Sequence, residues 1–209
     1  MAWFTRFTRF GDMHFVFGQE EGMTCGPSAA LMCYTKLKKL APSAPLYADT
    51  HPFQKLYEKW LGTSYDGTKD GTWPEGLVYI LNSQGCGNWR KDLYAPNDAV
   101  QAIEYFVGTR EGLGPTIDVS PVIVGVNWDG STASHWVCID TVRSFLGSTY
   151  ATICDPWDAD VHVQSMTRGK PFVYTAAEQF HVDFWGSHFK YEQPSTGRVR
   201  EWPIIHLTS

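Results

Sequence analysis

Residues 19–40 read Q-E-E-G-M-T-C-G-P-S-A-A-L-M-C-Y-T-K-L-K-K-L. After the polar turn at 18–28, Ala30, Cys33, Tyr34, Leu37 and Leu40 recur at helical spacing, and Pro27 stands where a first-turn proline is tolerated. The spacing predicts a helix over 27–40 with one apolar face, ending near Ala41-Pro42, with Cys25 immediately before it. Unpaired backbone N–H groups and the helix dipole favour an anion at such a start, so a thiol there is poised to ionise and act as a nucleophile. Gln19, six residues upstream, is near enough to turn its side-chain N–H over the sulfur and, with the Cys25 backbone N–H, hold a developing oxyanion.

Working outward, residues 1–12 are aromatic-rich and read as a packing arm, followed by a short strand at 13–17. Residues 52–61 form an amphipathic helix closed by Gly62, and 63–72 is a polar loop. Trp73-Pro74-Glu75 opens a third helix to Ser83, and Pro96-Asn97-Asp98 opens a fourth to Val107. The part 13–120 is therefore mainly helical. From Pro121 the period changes: P-V-I-V-G-V-N-W, H-W-V-C-I-D-T-V and T-Y-A-T-I-C-D-P-W are β-branched and aromatic runs between turns, as antiparallel strands require. A last helix is expected from Thr175, and W-P-I-I-H-L at 202–207 reads as a final strand. Helices first and sheet second predict an α+β fold, and no linker-like stretch splits residues 1–209, which predicts one domain.

Composition narrows the function. With 209 residues, 43% hydrophobic and 19% charged, the chain is too apolar for disorder and long enough for a sizeable core. There is no apolar run of the roughly 18 residues a membrane span needs. A net charge of -5, from 17 basic and 22 acidic residues, disfavours a nucleic-acid partner. Five cysteines without a C-x-x-C pair argue against a disulfide framework and a structural zinc. The H-x6-H spacing of His181 and His188 matches no metal motif, and no cofactor is expected. The N-terminal residues lack a signal-peptide pattern, making the cytoplasm the default compartment, with delivery by a dedicated secretion machine as the other route.

If 135–142 and 149–155 form a hairpin about F-L-G-S, His135 and Asp155 fall at its same open end, where the imidazole can serve as base and the carboxylate can orient it. Alternation sets His135, Val137 and Ile139 on one face, with Trp136 and Cys138 on the other and Asp140 away from His135. Trp128, Trp136 and Trp157 lie on the strands around the pair and are expected to line a cleft. Cys33 and Cys154 read as core thiols and Cys86 as a loop cysteine.

Taken together, Q-x5-C-G-P-S-A-A-L-M, P-V-I-V-G-V-N-W, H-W-V-C-I-D and I-C-D-P-W resemble the papain-like cysteine peptidases, most closely the branch related to peptidases that process double-glycine bacteriocin leaders. The resemblance covers roughly 13–185, including helices after Trp73-Pro74 and near Tyr174. It implies a nucleophile helix packed on a C-terminal antiparallel sheet, with Cys25 as nucleophile, His135 as base, Asp155 as orienting carboxylate and Gln19 as oxyanion donor. The implied activity is acyl transfer from a peptide or other amide bond of a peptide or protein substrate. The same residues serve glutamine deamidation or peptidoglycan amide cleavage, as in a delivered bacterial effector with an inhibitor or immunity protein as partner. A catalytically silent peptide-binding module is the reading from another class. Only 24 residues precede Cys25, too few for a long inhibitory propeptide, and no transporter segment follows, so leader processing is not implied. The loops at 63–72 and 108–120 are expected to shape specificity.

Overall fold

The structure, a computed structural model, describes residues 3–38, 49–113, 120–128, 134–170, 172, 175–176, 182–183, 186–187 and 202–208. It opens with β1 (Trp3–Phe7) and β2 (Met13–Phe17), paired antiparallel across the turn at 8–12. Then come α1 (Cys25–Leu37), α2 (His51–Leu61), α3 (Pro74–Ser83), β3 (Trp89–Tyr94), α4 (Pro96–Val107) and β4 (Thr109–Glu111). The remaining described elements are strands: β5 (Val122–Trp128), β6 (Ser134–Phe145), β7 (Ser148–Asp155), β8 (Asp160–Met166), β9 (Thr175–Ala176), β10 (Val182–Asp183), β11 (Gly186–Ser187) and β12 (Trp202–Leu207). Among the described residues, no helix is long and apolar enough to cross a membrane.

The main sheet runs β3-β12-β5-β6-β7-β8, antiparallel throughout, with β4 joining β6 and β9 joining β5 in parallel. Its strands carry near-continuous apolar runs because both faces are covered. Ile123, Trp136, Cys138, Cys154 and Ile205 join a core with α1, α2 and α3. Their neighbours Val122, Val124, Val137, Ile139, Ile153 and Ile204 join a second core with α4. The period of two thus sorts each strand between two helical layers. Helices and a mainly antiparallel sheet bear out the mixed α and β class.

Several boundaries differ from expectation for identifiable reasons. Helix α1 starts at Cys25, two residues early, so the cysteine is its first residue. Every residue from Cys25 to Thr35 is buried, making this a central helix rather than one with a single apolar face; residues 39–40 of the expected helix lie outside the described residues. The 1–12 arm is in large part the strand β1. Strand β3, W-R-K-D-L-Y, went unread because its polar, half-exposed side chains on the sheet's edge carry no alternation. Thr175–Ala176 pair with Asn127 and Trp128 as a strand instead of starting a helix. The rest of that expected helix at 177–180, Tyr174, His181, His188 and residues 114–119 of the second loop lie outside the described residues.

Candidate active site

The turn that leads into Cys25 is assembled by its own backbone. The Thr24 N–H bonds the Glu21 carbonyl at 3.2 Å and that of Ser28 bonds the Thr24 carbonyl at 3.0 Å, while Pro27 has no N–H. The Thr24 hydroxyl donates to the Glu21 carbonyl at 3.0 Å instead of capping α1, and no acidic residue sits in the first turn. The N–H groups of Cys25 and Gly26 are therefore helix-start donors left over in this first turn.

From the sheet, β6 brings His135 as its second residue and β7 ends on Asp155. The hairpin between them turns through Leu146 and Gly147, both at positive φ (51° and 77°), which suits a two-residue connection. It closes on the expected F-L-G-S turn, and a bulge at Asp140 shifts the register. His135 Nε2 and Asp155 Oδ1 lie 2.6 Å apart, and the same oxygen accepts the Trp157 N–H at 2.8 Å. The Cys25 side chain also hydrogen-bonds the imidazole. With Nε2 facing Asp155, the ring edge left for sulfur is Nδ1. His135 and Asp155 are buried, and Cys25 is 7% exposed. Burial opposes the imidazolium, but the charges of Asp155 and Cys25 and their hydrogen bonds outweigh it, raising the His135 pKa to about 10.

Gln19 is oriented differently from expectation. Its Nε2 donates to the carbonyls of Glu21 at 2.9 Å and Gly22 at 3.1 Å, using both amide hydrogens inside its own turn. Its backbone N–H bonds the Pro156 carbonyl at 2.7 Å, tying the turn before Cys25 to the Asp155 turn. Of the tryptophans, Trp136 is a core pillar and not an open cleft wall: it is 4% exposed, and its indole donates to the Thr72 carbonyl at 3.0 Å. Trp157 is 38% exposed beside Asp155, and the side chain of Trp128 lies outside the described residues. Cys138 lies on the face opposite Val137 and meets Cys33 of α1, Sγ to Sγ 3.4 Å, two turns along from the nucleophile.

The loop at 63–72 contributes residues that sequence reading missed. Tyr65 donates its hydroxyl to the Met23 carbonyl at 2.8 Å, and the Met23 N–H bonds the Gly67 carbonyl at 2.8 Å. Burial and the Cys25 charge push the Tyr65 phenol up. A Cβ at Gly26 would stand 1.9 Å from Thr72 Oγ1, so only glycine lets this loop close on α1. Gly26→Ala is expected to cost about 1–3 kcal/mol in denaturant unfolding by forcing Thr72 away. No residue pattern in a single sequence marks such a close approach in advance.

Two clusters each set three metal-ligating atoms within 4.8 Å of one another: His14 with Asp140 and Cys154, and Asp155 with Asp158 and His162. In the first, the Lys36 ammonium already pairs with Asp140, as does His14. In the second, Asp158 faces His162 at 2.9 Å and Asp155 faces His135. In each cluster a carboxylate is already engaged by a protein partner. Compared with known proteins, the chain matches no protein-family model and no curated protein sequence.

Proposed function

We propose that the chain is a papain-like cysteine hydrolase that opens a peptide or other amide bond through an acyl-enzyme on Cys25. The observation that carries this reading is the buried His135–Asp155 pair hydrogen-bonded to Cys25 at an uncapped helix start. The thiolate is the form of sulfur that attacks a carbonyl carbon, and His135 beside Cys25 is the group that can take the thiol proton. As the C–S bond forms, the carbonyl electron pair moves to oxygen, where the Cys25 and Gly26 N–H groups can receive it. His135 passes its proton to the leaving amine as the C–N bond breaks. The neutral ring then takes a proton from water, whose oxygen attacks the thioester and releases acid and thiolate. Asp155 keeps the ring in one orientation throughout. Gln19 joins the oxyanion donors when substrate binding frees one of its two carbonyl bonds.

Peptidase and deamidase chemistry use the same groups and differ in product. A complex peptide mixture incubated with the protein is expected to yield new N-termini by mass spectrometry, or ammonia without backbone cleavage if glutamine side chains are the target. Either activity should fall at least about 10³-fold in Cys25→Ala. Activity surviving in that variant would overturn the hydrolase reading. A silent peptide-binding module is favoured by one observation, the engagement of both Gln19 amide hydrogens over a largely buried Cys25; it predicts that Cys25→Ala leaves peptide binding and the biological effect intact.

A further inference from the structure

A cavity of about 420 Å³ opens between α2 and the 63–67 loop, with Glu21, Tyr65 and Gly67 forming its wall towards the nucleophile turn. Those three residues also build that turn. The Glu21 carbonyl holds Gln19 and Thr24, Tyr65 bonds Met23 and lies within the electrostatic reach of Cys25, and Gly67 bonds Met23. The cavity thus shares one wall with the turn that leads into Cys25.

The charges facing the cavity are Glu21, Glu58, Asp66 and Lys55, together with His51. Glu58 is already paired with Lys55 at 2.7 Å, and Asp66 with Lys69 at 3.1 Å. Glu21 has no cationic side chain on its carboxylate among the described residues. Its position is set by the chain: a Cβ at Gly67 would stand 2.0 Å from Glu21 Oε2, so the carboxylate rests where Gly67 lacks a side chain. The result is a side-chain-sized space with polar walls, two neutralised carboxylates and one carboxylate still without a counter-ion. An acidic occupant meets the like charge of Glu21, whereas a cationic one gives Glu21 a counter-ion.

We propose that this cavity receives the cationic side chain, Arg or Lys, of a peptide substrate, ion-paired with Glu21; the proposal rests on the acyl-transfer reading of Cys25 and gives that site its substrate class. The test separates the two. Cys25→Ala is titrated by NMR with Ac-Ala-Arg-Ala-amide and with the citrulline peptide, which keeps the shape and lacks the charge. In parallel, wild type is labelled with Ala-Ala-Arg and Ala-Ala-citrulline acyloxymethyl ketones, and the rate of Cys25 modification is read by mass spectrometry. Arginine is expected to be favoured about fivefold in both formats. The ratio should fall towards one in Glu21→Gln, with folding checked by circular dichroism, and also in 0.5 M salt (the experimental condition, where screening length falls to about 4 Å). Equal affinity for the two peptides, or an arginine preference that survives Glu21→Gln, overturns the cavity assignment. If Cys25→Ala discriminates but wild-type Cys25 takes up neither ketone, the cavity stands and the acyl-transfer reading fails. Rapid labelling without discrimination gives the reverse.

Discussion

At pH 6, iodoacetamide is expected to alkylate Cys25 about 10²-fold faster than the other cysteines, and His135→Ala is expected to remove most of that advantage. The comparison is internal to one chain. Burial holds the Cys86 thiol up; the Cys33 hydrogen bond and burial hold Cys138 up; burial and the Asp140 charge hold Cys154 up. At pH 6 these groups carry almost no thiolate, whereas the sulfur at the head of α1 faces an imidazolium. The sign follows from His135, whose pKa is raised from 6.5 to about 10. Its charged form contributes stability that is fully present below about pH 6.5 and is lost as the pH rises through about 10. Amide hydrolysis, which needs that proton for the leaving amine, should therefore decline as the pH passes about 10, while alkylation, which needs none, continues. Mass-spectrometric rates for each cysteine between pH 5 and 10.5 check both limbs. A Cys25 rate no higher than that of Cys86 at pH 6, or one unchanged in His135→Ala, shows that the sulfur is not activated and moves the binding-module reading to the front.

How far this site was legible from sequence depends on whether the signal is local. The pairing of His135 with Asp155 followed from two β-branched runs and the turn between them, because a hairpin is a short-range object whose open end can be counted. Helix α2 was equally plain: a buried Phe53 and Tyr57 at helical spacing, then Gly62 at φ 76° as the stop. What resisted reading depends on contacts between distant segments. Cys25 joins the helix because the turn at 21–24 supplies its first bonds, and Gln19 turns inward because two carbonyls of that same turn attract its amide. Strand β3 exists because β12, more than a hundred residues later, covers one of its edges. Trp136 looked like a cleft aromatic, yet a buried indole N–H needs an acceptor, and the Thr72 carbonyl is the one it has.

The largest stability loss is expected at Asp140, outside the proposed catalytic groups. This buried aspartate sits at the β6 bulge, where its carboxylate meets His14 of β2 and the Lys36 ammonium of α1, while its backbone carbonyl accepts a second bond from Lys36 at 3.4 Å. Three segments distant in the chain thus share one anion beneath the nucleophile helix. Burial opposes the charges, but Lys36 and His14 together hold the Asp140 carboxyl well below its ordinary range. Burial likewise works against the Lys36 ammonium, and Asp140 outweighs it, leaving the lysine raised. Removing the carboxylate leaves a partly buried ammonium and a buried imidazole without their shared partner, so Asp140→Ala is expected to lose about 3 kcal/mol in urea unfolding. That corresponds to roughly 10 °C in Tm for a chain of this size. Because the carboxyl is depressed, its contribution is present above the ordinary aspartate pKa of about 3.9 and lost as the pH falls through its lower folded value, so wild type and variant should converge in acid. The double variant Asp140→Leu with Lys36→Met removes anion and ammonium together and should recover most of the loss, since apolar groups of similar size can replace a buried ion pair. A loss under about 1 kcal/mol in Asp140→Ala, or a double variant no better than the single, would show that packing and not this shared charge holds α1 against the sheet.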